Sequence, residues 1–81
     1  MLHVSVISPE ATVFEGDAPS VVAPAWDGEV GILTGHAPML TLLGTGTLRV
    51  GDGPSFTVAG GFLQVVDDQV RVVTEKAAKS G

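Results

Sequence analysis

The sequence predicts an all-β fold, a small β-sandwich or flattened barrel of about ten short strands. Short apolar runs are interrupted by turn residues at intervals of about eight to twelve positions, the spacing typical of sandwiches and barrels. Thirteen valines and seven threonines favour strands over helices, because their branched β-carbons restrict the first side-chain torsion. Some runs are apolar on both faces, such as the one with Leu63 and Val65 opposite Phe62 and Val66. Such strands need a second packed layer.

The order of the strands follows from the apolar runs and from the residues that interrupt them. The run at 2–7 alternates apolar with polar residues, and Pro9 breaks it. Pro24 ends the third run because proline has no amide proton for a sheet hydrogen bond. Asp27-Gly28 and Asp67-Asp68 are dipeptides typical of tight hairpin turns. The strands predicted in this way cover residues 2–7, 12–15, 20–23, 30–33, 39–43, 47–50, 56–59, 62–66 and 70–74.

The end of the chain gives a different signal. Residues 74–80 lean towards helix through Glu75, Ala77 and Ala78. An isolated helix shorter than about 12 residues is marginal in water, however. We therefore expect one β-sandwich domain over residues 1–75, followed by a short, frayed tail at residues 76–81.

The composition indicates a domain with a partly covered surface. Eighty-one residues are enough for one domain, which buries only roughly 60% of its unfolded surface. Charged residues make up 16% of the chain, where about 25% is usual for soluble domains. Much uncharged surface must therefore face outward. Part of it is expected to contact a partner, the alternative being a merely glycine- and threonine-rich exterior.

Several functional classes are disfavoured by composition. A net charge of −5 with four basic residues offers no basic face for nucleic acid. The absence of cysteine excludes disulfides and thiolate metal sites. No apolar run approaches the ~20 residues that span a bilayer, and the first residues do not resemble an export signal. We expect a soluble protein.

The sequence contains no complete catalytic motif. The segment 44–49 begins like a dinucleotide fingerprint, but Arg49 stands where the third glycine belongs. The serines lie in no nucleophile motif. Asp27, Glu29 and His36 could supply metal ligands, although their spacing matches no closed zinc pattern. The hairpin tips carry no lysine for a lipoate or biotin arm. We expect no enzyme activity, no resident metal and no cofactor.

Residues 27–38, with the sequence DGEVGILTGHAP, are nevertheless distinctive. Together with the opening segments 6–10 and 13–16, the motif at 60–62 and the closing residues 72–74, they resemble the epsilon subunit of F-type ATP synthases. The resemblance covers nearly the whole chain in order.

The resemblance implies a ten-stranded sandwich at the foot of a central stalk. There the subunit would lie beside the gamma subunit, touch the ring of c subunits and turn with the rotor. It would join proton-driven rotation to ATP synthesis without catalysing a reaction, bind no nucleotide, and lie at the cytoplasmic face of the bacterial inner membrane.

Eleven positions acquire an implied role from the resemblance. Three face the polar loop of the c subunits: Asp27, Glu29 and Val30. Four face gamma: Ser8, His36, Met39 and Thr41. Four set the loop geometry, through backbone angles open to glycine or fixed by proline: Gly28, Gly31, Gly35 and Pro38. Most of the affinity for gamma should come from apolar burial, for which Met39 and Leu42 are candidates, although each is equally well placed for the core.

The chain departs from the family pattern at two places. Thr34 stands where the family commonly has proline, so the loop is expected to be less stiff. The sequence ends at Gly81, where many relatives continue into a helical hairpin associated with braking ATP hydrolysis, and that property is therefore not implied. Two alternatives stay open: a ligand- or carbohydrate-binding sandwich built around Trp26, and a metal-dependent enzyme.

Overall fold

The computed structural model describes residues 1–79, and that part of the chain contains ten strands and no helix. It therefore has no helix that is long and apolar enough to cross a membrane. The predicted all-β sandwich is confirmed. The strands are β1 (Leu2–Ile7), β2 (Thr12–Ala18), β3 (Ser20–Ala25), β4 (Gly28–Leu33), β5 (Met39–Leu42), β6 (Thr45–Val50), β7 (Ser55–Ala59), β8 (Phe62–Val66), β9 (Gln69–Val73) and β10 (Lys76–Lys79).

The strands form two five-stranded sheets. Sheet A has the order β2-β1-β9-β8-β5, and sheet B has the order β10-β7-β6-β3-β4. The β1–β9 pair is parallel, and the other strand pairs are antiparallel. The sheets meet where Ala25 bridges Leu43 and where the amide of Trp26 donates to the Leu42 carbonyl at 3.0 Å. Edge strands β4 and β5 therefore share one side of the sandwich.

The core lies between the sheets because side chains alternate across each strand. In β1, for example, Leu2, Val4 and Val6 are fully buried. The buried apolar residues of both sheets and their connections form one cluster: Leu2, Val4, Val6, Ala18, Val21, Ala23, Ile32, Leu43, Leu48, Val50, Phe56, Val58, Leu63, Val65, Val70 and Val72. Alternate positions of the same strands are left for outward-facing side chains, and these define the possible contact surfaces.

The turn before β8 requires glycine. Gly61 has a φ of +104°, and a β-carbon there would collide with the carbonyl oxygen of Val73. That carbon would also lie 2.7 Å from the Cα of Thr74. The close approach lets the Gly61 carbonyl accept a hydrogen bond from the amide of Leu43 at 2.9 Å. Gly61 thus holds the beginning of β8 against the end of β5.

The predicted tail is wrong where the structure describes it. Residues 76–79 form β10, which pairs antiparallel with β7 and extends the domain beyond residue 75. Ala77 packs against the core, and the buried hydroxyl of Thr74 lies 2.9 Å from the carbonyl oxygens of both Gly60 and Lys76. Pairing with the open edge of β7 outweighs the weak helical preference of this segment. Residues 80 and 81 lie outside the described residues.

Candidate functional site

Ten of the eleven predicted positions lie between residues 27 and 41, on β4, on β5 and in the adjoining turns. Because β4 and β5 are edge strands, this stretch runs along one side of the sandwich. Within residues 27–38, all of which are described, Ile32 alone is fully buried. The stretch is therefore surface and not ordinary core.

The acidic turn (residues 27–29) and the His36 loop (residues 34–38) lie at opposite ends of β4. A strand rises about 3.3 Å per residue, so the four steps from Glu29 to Leu33 separate the two ends by about 13 Å. Asp27, Glu29 and His36 are thus too far apart to ligate one metal ion. In the described part of the chain, no three histidine, aspartate or glutamate side chains come together as metal ligands.

The acidic turn presents a carboxylate on the outer face of sheet B. Glu29 is exposed and pairs with Pro24 of β3. It lines a shallow polar depression of about 310 Å³ together with Val22, Thr47 and Arg49. Val30 points the other way and packs against the core. Of the two β4 side chains predicted to contact the c ring, Glu29 is the one that faces outward.

Of the three glycines among the four predicted loop-geometry positions, two adopt backbone angles that require glycine. Gly28 and Gly35 have φ values of +131° and +85°, in the region that favours glycine. Gly31 is not among the residues with positive φ, and a β-carbon there would meet open space. The prediction that Gly31 takes backbone angles closed to other residues is therefore wrong.

The side chains of β5 divide between the core and the solvent. Met39 packs against the core and Thr41 is half-buried, whereas Leu40 and Leu42 are 69% and 64% exposed. The prediction named Met39 for the outward surface and did not name Leu40. The sequence indicates that the side chains of β5 alternate between two faces. It does not indicate which face is turned towards the core, because β5 has apolar residues on both.

Leu42 belongs to an apolar row that crosses the outer face of sheet A. In the strand register Leu42 pairs with Phe62, Phe62 with Val73, and Val73 with Ile7. We call Ile7, Leu42, Phe62 and Val73 the apolar row. Leu40, Leu42 and Phe62 line a shallow depression of about 340 Å³ beside it.

Two further predicted or candidate residues lie at the ends of the apolar row. Ser8 directly follows Ile7, and its hydroxyl donates to the Ala11 carbonyl at 3.2 Å. Trp26 lies beside Leu42 and is 68% exposed. An indole this exposed is not the wall of an enclosed pocket, so the geometry does not favour a ligand-binding site built around Trp26.

The His36 loop is held by local hydrogen bonds. The amide of His36 donates to the Leu33 carbonyl at 3.1 Å, and its Nδ1 donates to the Ala37 carbonyl at 2.6 Å. His36 itself is half-buried, while Ala37 and Pro38 are exposed. The loop therefore offers an ordered backbone with a partly accessible imidazole.

A second histidine, which the sequence did not single out for a site, lies between two carboxylates on the outer face of sheet A. His3 Nδ1 is 3.0 Å from Asp17 Oδ1, and His3 Nε2 is 3.0 Å from Glu15 Oε2. Hydrogen bonds to Asp17 and then to Glu15 raise the pKa of His3 above its ordinary value of 6.5, against a smaller opposing effect of desolvation. The arrangement favours the imidazolium, which donates from both nitrogens.

These features define the class: a small, ten-stranded all-β sandwich domain with an apolar row on the outer face of one sheet and an acidic turn on the other. Residues 1–80 match the family described as ATP synthase, Delta/Epsilon chain, beta-sandwich domain. The chain belongs to that family.

Similar proteins carry the name ATP synthase epsilon chain. The one from Synechococcus sp. (strain JA-2-3B'a(2-13)) is 43% identical over 81 residues, covering 96% of this chain and 59% of the relative. The one from Nostoc sp. is 44% identical over 77 residues, covering 89% and 56%. The chloroplastic one from Guillardia theta is 35% identical over 82 residues, covering 98% and 63%. The chain spans less than two thirds of the length of these relatives.

Solved structures show the same fold. A chain of the Euglena gracilis mitochondrial ATP synthase, in an OSCP/F1/c-ring structure, matches 96% of this chain with a TM-score of 0.87 and 23% identity, over 52% of its own length. A chain of the Tetrahymena thermophila enzyme, in a structure of the central stalk and c-ring, matches 95% with a TM-score of 0.82 and 16% identity, over 65% of its own length. At these identities the likeness concerns the fold.

Proposed function

We propose that this chain is a non-catalytic rotor component of an F-type ATP synthase, which links the gamma subunit to the ring of c subunits. In this role it transmits proton-driven rotation of the ring to gamma and so to ATP synthesis. Membership of the delta/epsilon family supports the proposal, and the observation that carries it is the apolar row on the outer face of sheet A, half-buried at Ile7, Phe62 and Val73 and exposed at Leu42.

The apolar row and the leucines beside it give a physical basis for docking gamma. Leu40 and Leu42 are each more than 60% exposed, so their apolar side chains are available to a partner. Burying such side chains contributes about 25 cal/mol per Å² of apolar surface, before the cost of ordering both partners. Met39 then supports the surface from its inner side, Thr41 lines the depression with Leu40 and Leu42, and Ser8 lies at one end of the apolar row. His36 lies beyond the other end of β5, before Met39.

The acidic turn suits a contact of a different kind. Glu29 and Asp27 are exposed at the end of the sandwich where Trp26 and Leu42 meet. An exposed carboxylate that pairs with arginine or amide donors contributes only about 0.2–1 kcal/mol. We therefore assign most of the binding free energy to the contact between sheet A and gamma. The acidic turn makes a weaker contact, which orients the domain relative to the c ring.

Such a component lies peripheral to the membrane as part of the F1 sector. In a bacterial cell this places it at the cytoplasmic face of the inner membrane, where the c-subunit loops emerge. Fractionation of source cells tests the location: the chain should remain with washed membranes and leave them together with gamma when F1 is released. Recovery from the periplasm would contradict it.

Replacement of Leu42 by serine tests the gamma contact directly. Leu42→Ser should weaken binding of purified gamma by about fivefold or more, because a central apolar anchor costs above ~1 kcal/mol when truncated. Its thermal stability should change little, since the side chain is exposed.

The matched control is Leu33→Ser. Leu33 is 65% exposed like Leu42, but it pairs with Ser20 on the outer face of sheet B. It should bind gamma as the wild type does. Equal loss of affinity in both variants, or loss only in Leu33→Ser, would contradict the proposed face.

A further inference from the structure

The His36 loop is joined to a distant turn by one side-chain hydrogen bond. The amide of Gly35 donates to Oδ1 of Asp68 at 2.7 Å, across 33 positions of sequence. Asp68 lies in the turn between β8 and β9, next to Asp67. We propose that Asp68 is the positioning residue of the His36 loop, and that its carboxylate holds the loop in the conformation that docks gamma. The docking part of this inference rests on the proposed function.

Asp68 is a firm anchor because its own backbone is fixed. Its φ of +61° belongs to the left-handed region, which aspartate tolerates better than most residues. Its carbonyl oxygen accepts a hydrogen bond from the amide of His3 at 2.8 Å, which ties the turn to β1. The carboxylate is thus presented from the middle of sheet A, and a charged acceptor makes a stronger bond than a neutral one.

In addition to its local hydrogen bonds, the loop gains a restraint from Asp68 at its glycine. Gly35 has a φ of +85°, and glycine loses more conformational freedom on ordering than any other residue. The preceding residue is Thr34, which does not fix the backbone as proline would. The bond to Asp68 is donated by the amide that joins Thr34 to Gly35, directly before His36, so it limits where the imidazole and Pro38 can lie.

Two substitutions of Asp68 distinguish the effect of its carboxylate from the effect of its backbone conformation in the turn. Asp68→Gly removes the acceptor but suits the left-handed backbone, while Asp68→Asn keeps an oxygen acceptor and also tolerates that backbone. Both remove one negative charge, so they are matched electrostatically. Asp67→Gly is the control, because Asp67 has a φ of +49° in the same turn and is not the residue that bonds Gly35.

The first measurement is amide hydrogen exchange of Gly35 in the free 81-residue chain. Exchange should quicken about tenfold or more in Asp68→Gly, the factor expected for losing a hydrogen bond to a charged group. It should stay close to wild type in Asp68→Asn and in Asp67→Gly. The second measurement is affinity for purified gamma, which should fall about threefold or more in Asp68→Gly alone, because only ordered loops are competent to bind.

The outcomes distinguish failure of the inference about Asp68 from failure of the proposed function. Equal Gly35 exchange in Asp68→Gly and Asp68→Asn would overturn the inference, and so would faster exchange with unchanged affinity for gamma. If the wild-type chain fails to bind gamma, the proposed function fails instead, and the exchange data still decide whether Asp68 holds the loop.

Discussion

At the scale of single residues, Glu29 and Leu42 illustrate two different contributions to docking. Glu29 offers an exposed carboxylate at the tip of an edge hairpin, and Leu42 offers exposed apolar area beside Phe62. The first kind of contact is weak and directional, and the second is stronger and tolerant of orientation. Substitutions at the two positions should therefore affect different properties of an assembled complex.

Replacement of Glu29 by glutamine should reduce coupling and leave the domain intact. The fold should persist because the side chain is exposed on the outer face of sheet B. The lost contact amounts to about 0.2–1 kcal/mol, so assembly should survive while proton-driven ATP synthesis in reconstituted complexes falls.

Asp52→Asn is the matched control, since Asp52 is an exposed acid in the turn between β6 and β7, at the other end of the sandwich. Wild-type synthesis rates in Glu29→Gln, or an equal drop in Asp52→Asn, would remove Glu29 from the c-ring contact.

At the scale of elements, the His3 cluster (His3, Glu15 and Asp17) stabilises the pairing of edge strand β2 with β1. Both ring nitrogens of His3 reach carboxylates of β2, and the facing groups on neighbouring β9 are Gln69 and Arg71. Because folding raises the pKa of His3 above 6.5, the cluster adds stability below the unfolded pKa. That contribution is lost as the pH rises through the folded pKa.

The prediction is a pH-dependent difference between the wild type and His3→Gln. At about pH 6, below the ordinary imidazole pKa of 6.5, the wild type should melt at the higher temperature, because His3 is protonated there. The difference should shrink at alkaline pH. The pKa of His3, followed by NMR titration, should lie above 6.5. A pH-independent difference would show that the imidazole acts by packing and not by charge.

A strand could be predicted where neighbouring residues in the sequence mark its ends. A strand that forms only by pairing with a distant strand could not. β1 and β8 were predicted with their observed bounds, because Pro9 and Gly60-Gly61 mark their ends in the sequence itself. β10 was missed because residues 76–79 have no intrinsic strand preference and become a strand only by pairing with β7.

The candidate site shows the same division. The exposed stretch at 27–38 was predicted from its motif, and its turns indeed need Gly28 and Gly35. The apolar row was not predicted, because it joins Ile7, Leu42, Phe62 and Val73 through strand register that no local pattern records. The bond from Asp68 to Gly35 likewise depends on the tertiary fold.

At the scale of the whole molecule, the two sheets have different outward faces. The outer face of sheet A carries the apolar row, whereas that of sheet B carries Glu29, Thr47 and Arg49 around a polar depression. Both faces reach the same end of the sandwich, where Trp26 lies beside Leu42. In the proposed function, the domain would contact gamma through sheet A and a second partner through the acidic turn at the same time.

The most direct test of this arrangement is site-specific cross-linking in the assembled complex. The chain has no cysteine, so Leu42→Cys and Leu33→Cys each introduce a unique thiol for a short photoreactive cross-linker. The two positions are similarly exposed but lie on sheets A and B respectively. We predict that the thiol at position 42 cross-links to gamma and that the thiol at position 33 does not. Cross-linking to gamma from position 33 alone, or from neither position, would contradict the account.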